Sequence, residues 1–315
     1  MSEWMDKWLP EMKRNDGQNS RQAPPASQLL SDEQGRKYYE LTFKCLGCGK
    51  EFKARNYIFI YGYIWNTGKA GYCPVCSEKR SAEFERDEKE KADADLIEKR
   101  ESWRESCGIP LKYRFKGFQH FEQSYQPKAF MKCQDYAQKF PIDNPQGYPS
   151  LVLYSDHTWG TGKTHLACSI AHHILSRWSG ETGTCPVKFV SEPVLFESIR
   201  ETYNFSFQEK EQLPSAKNII DLCIRVPLLI IDDLGKEEVS DLRFVQRTLF
   251  SIFDGRYNAE LPVVVTANLN DVGLRSHMGG NAGNEASFNR LFEMCKGEFV
   301  HMDGQSYRDK LARVK

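Results

Sequence analysis

The sequence predicts an α/β fold built on a parallel sheet, preceded by a small cysteine-rich module and a charged helix. Two observations predict the sheet. An apolar run from Pro149 to Tyr154 stands just ahead of a glycine-rich loop, and a second apolar run ends in two carboxylates, Asp232 and Asp233. Short apolar runs of this kind suit strands that are buried on both faces. A third observation, two Cys-x-x-Cys pairs ahead of both runs, predicts the separate module.

The glycine-rich loop, Gly160 to Ala167, reads Gly-Thr-Gly-Lys-Thr-His-Leu-Ala and leads into an apolar helical pattern. A bound triphosphate needs many backbone N–H donors, so glycines leave space where the backbone must approach it. Lys163 then supplies positive charge to the β and γ phosphates, and the Thr164 hydroxyl is a ligand for Mg²⁺. The predicted phosphate-binding residues are Gly160, Thr161, Gly162, Lys163, Thr164 and His165.

One position departs from the usual pattern of such loops, G-x-x-x-x-G-K-[ST], because His157 stands where the first glycine is expected. A residue other than glycine in a left-handed conformation costs roughly 1 to 2 kcal/mol, although histidine is tolerated better than most. The loop would then bind a nucleotide with altered turnover. A non-hydrolysing adaptor is therefore an alternative to an enzyme.

The second apolar run, Leu228 to Ile231, predicts a strand buried on both faces, with Asp232 and Asp233 at its carboxyl end. Asp232 is predicted to hold Mg²⁺, directly or through water, and Asp233 to orient and polarise the attacking water. An Asp-Asp pair at a strand end could instead cap the next helix. The phosphate loop upstream favours the metal site.

Two further polar residues are candidates. Asn268 follows the apolar strand Leu261 to Ala267, where its amide would hydrogen-bond the attacking water or the γ-phosphate; alternatively it only starts a turn. Arg290 lies near the start of a predicted helix, Ala286 to Cys295. An isolated arginine in such a helix is usually just a solvated charge.

Together with Ser306-Tyr-Arg308, these motifs resemble the AAA+ ATPases of the DnaC/DnaI helicase-loader group, with IstB-type transposition ATPases as close relatives. The resemblance covers about residues 110 to 315. It implies an AAA+ P-loop NTPase domain that hydrolyses ATP with Mg²⁺ and self-associates. It also implies that Asn268 is sensor 1, Arg290 an arginine finger and Arg308 the sensor 2 arginine.

Four cysteines predict a zinc site. Cys45 and Cys48 form one Cys-x-x-Cys hook and Cys73 and Cys76 a second, and two such hooks are typical of a tetrahedral Zn²⁺ site in a zinc ribbon. Reduced free cysteines or a redox pair are the alternatives. The other six cysteines stand singly, mostly in apolar surroundings, and are expected to be small core residues.

The predicted organisation has four parts. Residues 1–40 form a flexible segment with a short amphipathic helix, whose apolar stripe contains Trp4, Met5, Trp8, Leu9 and Met12. Residues 41–78 form the zinc ribbon and residues 79–106 a charged helical linker. Residues 107–315 form the AAA+ ATPase domain.

The charge balance and the apolar pattern exclude some kinds of interaction. The formal net charge is +0, so no global basic field draws the chain to nucleic acid and any DNA contact must be local. No apolar run reaches the roughly 18 to 20 residues of a membrane helix, and the start lacks a signal-peptide pattern. We expect a cytoplasmic protein without a membrane partner.

The leading expectation for function is an ATP-dependent loader that places a replicative helicase on single-stranded DNA. Its rival is an IstB-type helper of a transposase, which shares the fold and the ATP chemistry. The zinc module weakly favours loading, and whether it contacts DNA or protein stays open. Single-stranded DNA is expected at residues 192–210, with Lys188 and Arg200 as candidate contacts.

Overall fold

The computed structural model describes most of the chain in several stretches. These are residues 30–58, 64–66, 71–156, 158–178, 184–235, 241–279 and 285–302, together with residues 304, 306, 307 and 309. The chain divides into two compact units between Ala92 and Asp93. The amphipathic stripe predicted near the amino terminus, His157 and Arg308 lie outside the described residues.

The first unit contains a four-stranded antiparallel sheet in the order β1-β2-β3-β4. Its strands are β1 (Leu30–Ser31), β2 (Lys37–Lys44), β3 (Glu51–Ile58) and β4 (Ile64–Asn66). The central pair runs in register from Tyr38 opposite Tyr57 to Lys44 opposite Glu51. Because the first Cys-x-x-Cys hook follows β2 directly, the turn between β2 and β3 carries two of the four sulfurs.

A long helix, α1 (Pro74–Ser106), starts at the second hook. Good helix formers such as Glu, Lys, Arg and Ala dominate its sequence, and ion pairs such as Arg86 with Glu90 join successive turns on its surface. Near its carboxyl end, the buried Trp103 belongs to the core of the second unit. The helix thus covers all of the predicted charged linker, while the predicted domain boundaries themselves stay predictions.

The second unit is built on a five-stranded sheet whose strand pairs are all parallel, in the order β6-β7-β8-β5-β9. The strands are β5 (Leu151–Tyr154), β6 (Val187–Ser191), β7 (Leu228–Leu234), β8 (Val263–Ala267) and β9 (Val300–His301). Strand β8 lies between β5, which leads into the glycine-rich loop, and β7, which carries the two carboxylates. The predicted α/β class with a parallel sheet is confirmed.

Helices cover this sheet and connect its strands. They are α2 (Pro127–Lys139), α3 (Lys163–Arg177), α4 (Glu192–Glu201), α5 (Phe207–Gln212), α6 (Ala216–Arg225), α7 (Leu242–Asn258), α8 (Asp271–His277) and α9 (Ala286–Met294). Short 3-10 turns at 111–113, 118–120 and 123–125 precede α2. Within the described residues, no helix combines the length and the apolar character needed to cross a membrane.

Two apolar layers enclose the sheet, and successive residues of β7 pack alternately into one layer and the other. Leu228 and Ile230 pack into the layer that contains Trp103, whereas Leu229 and Ile231 pack into the opposite one. All four side chains are fully buried. The continuous apolar run in the sequence therefore reflects burial on both faces, as expected for a central parallel strand.

One buried cation forms hydrogen bonds along the amino-terminal edge of this sheet. Arg256 on α7 has no solvent exposure and donates hydrogen bonds to main-chain carbonyls around the end of α6 and the starts of β7 and β8. The acceptors are the carbonyl oxygens of Cys223, Ile224, Val226, Pro227 and Pro262. Burial lowers the pKa of this guanidinium to about 9, which leaves it protonated at neutral pH.

Candidate nucleotide-binding site

The glycine-rich loop connects β5 to α3 in a conformation that only glycine adopts readily. Gly160 and Gly162 have φ angles of 79° and 96°. A Cβ atom on Gly162 would lie 2.6 Å from the Phe121 ring, and one on Gly160 would lie 2.3 Å from the Ser306 hydroxyl. These two positions therefore need glycine for both backbone conformation and space.

Lys163 is buried at the base of this loop, although a lysine usually remains exposed. Its ammonium donates hydrogen bonds to the Ser155 hydroxyl at 2.6 Å, the Thr161 hydroxyl at 3.1 Å and the Thr158 carbonyl at 3.2 Å. These three hydrogen bonds hold the ammonium inside the loop. An anionic ligand in the loop would be a stronger partner for this charge than those oxygens.

The two predicted magnesium ligands lie side by side. The Thr164 hydroxyl donates to the Asp232 carboxylate, at 2.9 Å from Oδ1, and the Thr266 hydroxyl donates to the same oxygen at 2.6 Å. Asp232 is only 5% exposed, so its carboxylate depends on these donors for solvation. A hydroxyl next to a carboxylate is an oxygen donor set that fits Mg²⁺.

Asp233 has a left-handed backbone, with φ of 57°. Its N–H donates to the Thr266 hydroxyl at 2.9 Å, and the Asn268 amide donates to its carboxylate at 3.3 Å. The pairing of β7 with β8 shifts register between Ile231 and Leu234, which is where this turn is accommodated. A left-handed backbone costs of order 1 kcal/mol or more at a residue other than glycine. Such residues cluster at functional sites, where surrounding contacts stabilise the conformation.

These groups border a pocket of about 480 Å³, a volume in the range of small-molecule and cofactor sites. Its lining includes the polar side chains of Lys163, Thr164, Asp233 and Asn268. It also includes five aromatic side chains, namely Tyr113, Phe121, Tyr125, Trp159 and Tyr307. The polar groups suit phosphates and the aromatic rings suit a planar base.

His165, which the sequence assigned to the phosphate loop, connects α3 to the aromatic wall. Its Nε2 is 3.3 Å from the Gly117 carbonyl, and its ring is 5.3 Å from that of Phe121 and 5.7 Å from that of Tyr113. Burial lowers the pKa of His165 from its usual value, which favours the neutral imidazole. Because a carbonyl can only accept, Nε2–H is the donor in this contact.

Sequence reasoning missed a buried network behind Asp233. The Glu192 carboxylate, with no solvent exposure, accepts the Gly235 N–H at 2.6 Å and contacts His277 Nε2 at 2.5 Å. Glu192 follows β6, Gly235 follows β7 and His277 ends α8, the helix after β8. The only sequence signal was a carboxylate at the carboxyl end of an apolar strand, and it did not reveal the distant histidine.

Other predicted residues are not brought into this pocket. Arg290 does not line it; its guanidinium pairs with Asp254 on α7 at 2.8 Å and lies 4.9 Å from the centre of the Phe250 ring. Of the candidate DNA contacts, Lys188 lies half-buried in β6, and Arg200 lies 5.1 Å from the centre of the Phe244 ring. The structure thus gives both arginines local partners.

The four cysteines of the first unit form a cluster whose sulfur atoms all lie within 4.8 Å of one another. The Cys73 N–H donates to the Cys45 sulfur at 3.2 Å, which lowers the pKa of Cys45 to about 6. Hydrogen bonds to the neighbouring sulfurs of Cys73, Cys48 and Cys45 raise the pKa of Cys76 to about 12. Because a bound cation would relieve the repulsion between thiolates this close, the donor set fits Zn²⁺.

The phosphate loop, the paired carboxylates and the strand order define a P-loop nucleotide-binding protein of the AAA+ class, with a cysteine cluster ahead of it. The family model for the IstB-like ATP binding protein matches residues 149–314, more than half of the chain. This protein therefore belongs to the IstB-like ATP-binding family.

Comparison with curated proteins gives no significant match. Among solved structures, the chain is similar to DnaI with 20% identity and a TM-score of 0.45, covering 62% of this chain and 95% of that one. The chain is similar to the DnaC helicase loader with 20% identity and a TM-score of 0.45, covering 62% of this chain and 100% of that one. It is similar to AMPPCP-bound DnaA from Aquifex aeolicus with 17% identity and a TM-score of 0.44, covering 66% of this chain and 55% of that one.

Proposed function

We propose that this protein hydrolyses ATP at the pocket between the glycine-rich loop and the carboxyl end of β7. The observation that carries the proposal is the hydrogen-bonded set in which Thr266 joins Asp232 to Asp233 while Asn268 contacts Asp233. At the carboxyl end of one strand, this set places the Asp232 carboxylate, which can bind a metal ion, next to the Asp233 carboxylate, which can orient the attacking water. Phosphoryl transfer needs little more than such positioning and charge neutralisation.

Each residue has a separate part in this proposal. Lys163 contacts the phosphates, Thr164 and Asp232 hold Mg²⁺, and Asp233 orients the attacking water with help from Asn268. When bound, Mg²⁺ neutralises phosphate charge. The base lies against the aromatic wall near Phe121.

Two substitutions separate binding from hydrolysis. Lys163→Ala should weaken ATP binding strongly, because it removes a charge that contacts the ground-state phosphates. Asp233→Asn should retain ATP binding and lose hydrolysis, because it removes the group that acts on water. Asp135→Asn, a surface change on α2, is the matched control. Calorimetry gives the affinity, and steady-state phosphate release gives the turnover.

Hydrolysis that persists in Asp233→Asn would remove this residue from the mechanism. A non-hydrolysing adaptor would behave differently. The natural chain would show no ATP turnover with any DNA or protein partner, whereas the His157→Gly variant would hydrolyse ATP.

For the biological role, we propose that the ATPase loads a replicative helicase onto single-stranded DNA. The motif set shared with DnaC/DnaI-type loaders and the cysteine module ahead of the ATPase unit support this role. Helping a transposase is the second candidate, favoured by the match to the IstB-like family. Both roles use the same site, so only the protein partner distinguishes them.

Co-purification from the native host, followed by identification of the bound proteins, separates the two roles. ATP-dependent recovery of a replicative helicase supports loading. Recovery of a transposase instead supports the second candidate. Lys163→Ala serves as the control, because partner binding that is gated by ATP should disappear in this variant.

Self-association is part of the proposal, with Arg290 acting on the ATP of a neighbouring copy. An arginine supplied in trans can contribute about 10³ to 10⁵ in rate. Arg290→Ala and Asp233→Asn chains should each be inactive alone and should regain partial activity when mixed, because mixed interfaces combine an intact finger with an intact pocket. Mixed oligomers that form but stay inactive would leave Arg290 as the surface partner of Asp254.

A further inference from the structure

A second cavity, of about 290 Å³, lies in the P-loop unit and shares no lining residue with the nucleotide pocket. Its walls come from the end of α1, from α3 and from five residues between 114 and 119. Four of these five belong to residues 111–118, which we call the basic-aromatic strip. The strip reads Leu-Lys-Tyr-Arg-Phe-Lys-Gly-Phe. Interleaved cations and aromatic residues of this kind are typical of surfaces that bind single-stranded nucleic acid.

Two arginines, Arg104 and Arg114, give the cavity its positive charge. Each has an acidic neighbour on the surface: Arg104 pairs with Glu101, and Arg114 contacts Glu105 at 3.6 Å. The Glu105 side chain is 67% exposed, so solvent screens this second pair. The buried Nε of Arg114 has no hydrogen-bond partner among the described residues.

Phe115 stands beside these charges with 79% of its surface exposed, although it also lines the cavity. Its neighbour in the strip, Leu111, is 76% exposed. A phenylalanine this exposed contributes little to a core, whereas it offers a face on which a base can stack. Base–aromatic stacking contributes about 1 to 3 kcal/mol per base.

The strip is held in place by two histidines on α3. His165 Nε2 contacts the Gly117 carbonyl, and His172 Nε2 contacts the Tyr113 carbonyl at 2.9 Å. Tyr113 and Lys116 line the nucleotide pocket, whereas Arg114 and Phe115 line the second cavity. One tethered segment therefore borders both sites.

We propose that the second cavity binds single-stranded DNA, with Arg104 and Arg114 contacting a backbone phosphate and Phe115 stacking on an adjacent base. The choice of DNA as the partner rests on the proposed function. The formal net charge of +0 makes a local site of this kind necessary for any phosphate contact. The site is separate from residues 192–210, where the sequence alone led us to expect DNA.

The test measures the affinity of the full chain for a fluorescent oligothymidylate, by anisotropy over a range of salt concentrations with ATP and Mg²⁺ present. Phe115→Ala should weaken binding about tenfold and leave the salt dependence unchanged, because it removes stacking only. Arg114→Gln should weaken binding and reduce the slope of log affinity against log salt by about 0.7, the value for one phosphate contact on a single strand.

Two matched controls exclude general effects of lost surface. Arg243→Gln removes an exposed arginine on α7, and Phe84→Ala removes a phenylalanine that is 57% exposed on α1. Neither should change affinity or slope. Because Phe115 is so exposed, its substitution is not expected to unfold the unit, which keeps the test valid if an arginine variant proves unstable.

Three outcomes would overturn the proposal. If DNA binds normally to both Phe115→Ala and Arg114→Gln, the cavity is not the site, while the proposed loader function survives. If the two variants lose the protein partner but keep DNA, the cavity is a protein-docking surface. If the natural chain binds no DNA at all, both this proposal and the loading role fail, while ATP hydrolysis is judged separately.

Discussion

The two units of the chain depend on different sources of stability. In the second unit, apolar layers on both faces of the sheet bury the central strands β7 and β8 almost entirely. Among the side chains of the first unit whose burial the structure describes, Tyr38 and Cys45 are buried. A small unit has less apolar surface to bury than a large one, and the four clustered cysteines offer a further source of stability through a metal ion.

This difference in the source of stability predicts which substitutions should destabilise each unit. The first should depend on four sulfur atoms, and the second should tolerate changes at its surface but not within its buried polar contacts. Arg256 and Glu192 are such contacts, because both are fully buried and both bond to the main chain. Three substitutions, at Cys45, Arg256 and Glu192, test this contrast from the largest expected effect to the smallest.

Loss of the metal site should have the largest effect, confined to the first unit. Cys45→Ser removes one of four ligands, and structural zinc contributes roughly 10 to 16 kcal/mol to small zinc modules. We expect less than half an equivalent of zinc, rapid amide exchange at residues 37–58, and unchanged ATP affinity. Metal analysis, hydrogen exchange and calorimetry measure these three quantities.

Cys185→Ser is the control, since this half-buried cysteine lies outside the cluster. It should retain a full equivalent of zinc. If ATP binding falls together with zinc in Cys45→Ser, the two units are not independent and the contrast fails.

Removing the buried cation should affect only the second unit. Arg256→Met leaves five main-chain carbonyls without this donor, and leaving a buried acceptor unsatisfied costs about 1 to 3 kcal/mol, so we expect a loss of at least about 3 kcal/mol. Chemical denaturation followed by the fluorescence of a bound fluorescent ATP analogue should show this loss, while the zinc content stays unchanged.

The matched control lies on the same helix. Arg243→Met removes an exposed arginine of α7 and should change the free energy of unfolding by less than about 0.5 kcal/mol. Equal effects of the two substitutions would mean that the buried carbonyls find other partners.

Breaking the network behind Asp233 should have the smallest effect and should appear in turnover. Glu192→Ala frees the Gly235 N–H and His277, so the turn that holds Asp233 loses its support. Misplacement by about 1 Å can cost about 10²-fold in rate, so we expect ATP hydrolysis to fall about 10- to 100-fold with ATP affinity within about twofold.

Glu197→Ala, on the exposed side of the same helix, is its control and should leave turnover unchanged. Partial recovery of turnover in Glu192→Gln would show that the hydrogen bond to Gly235 matters more than the charge. A parallel loss of affinity and turnover would indicate general damage to the pocket instead of positioning.

Much of the fold could be predicted because its signals are local. The apolar runs ending at Tyr154 and Ile231 each predicted a buried strand, and the glycine-rich loop predicted the turn between β5 and α3. These expectations are confirmed, as is the AAA+ class. The predicted roles of Lys163, Asp233 and Arg290 stay predictions, since they concern reactions and not positions.

Other parts of the site could not be predicted, because their partners are far apart in sequence. Thr266 bonds to both Asp232 and Asp233 from the neighbouring strand, yet in the sequence it is one polar residue in an apolar run. Phe121 closes over Gly162 from a segment ahead of β5. Arg256 resembled any charged residue in a helix until the structure showed it buried.

The sequence by itself determined the fold class, the place of the glycine-rich loop, the two carboxylates at the carboxyl end of β7 and the two Cys-x-x-Cys pairs, because each depends on residues close together in the chain. Only the tertiary structure decided that Glu192 meets His277, that Arg256 bonds to carbonyls of three elements, and that one basic-aromatic strip borders two cavities. The physical reason is that hydrophobic patterning specifies which face of each segment is buried. It does not specify which side chains from distant segments will meet there.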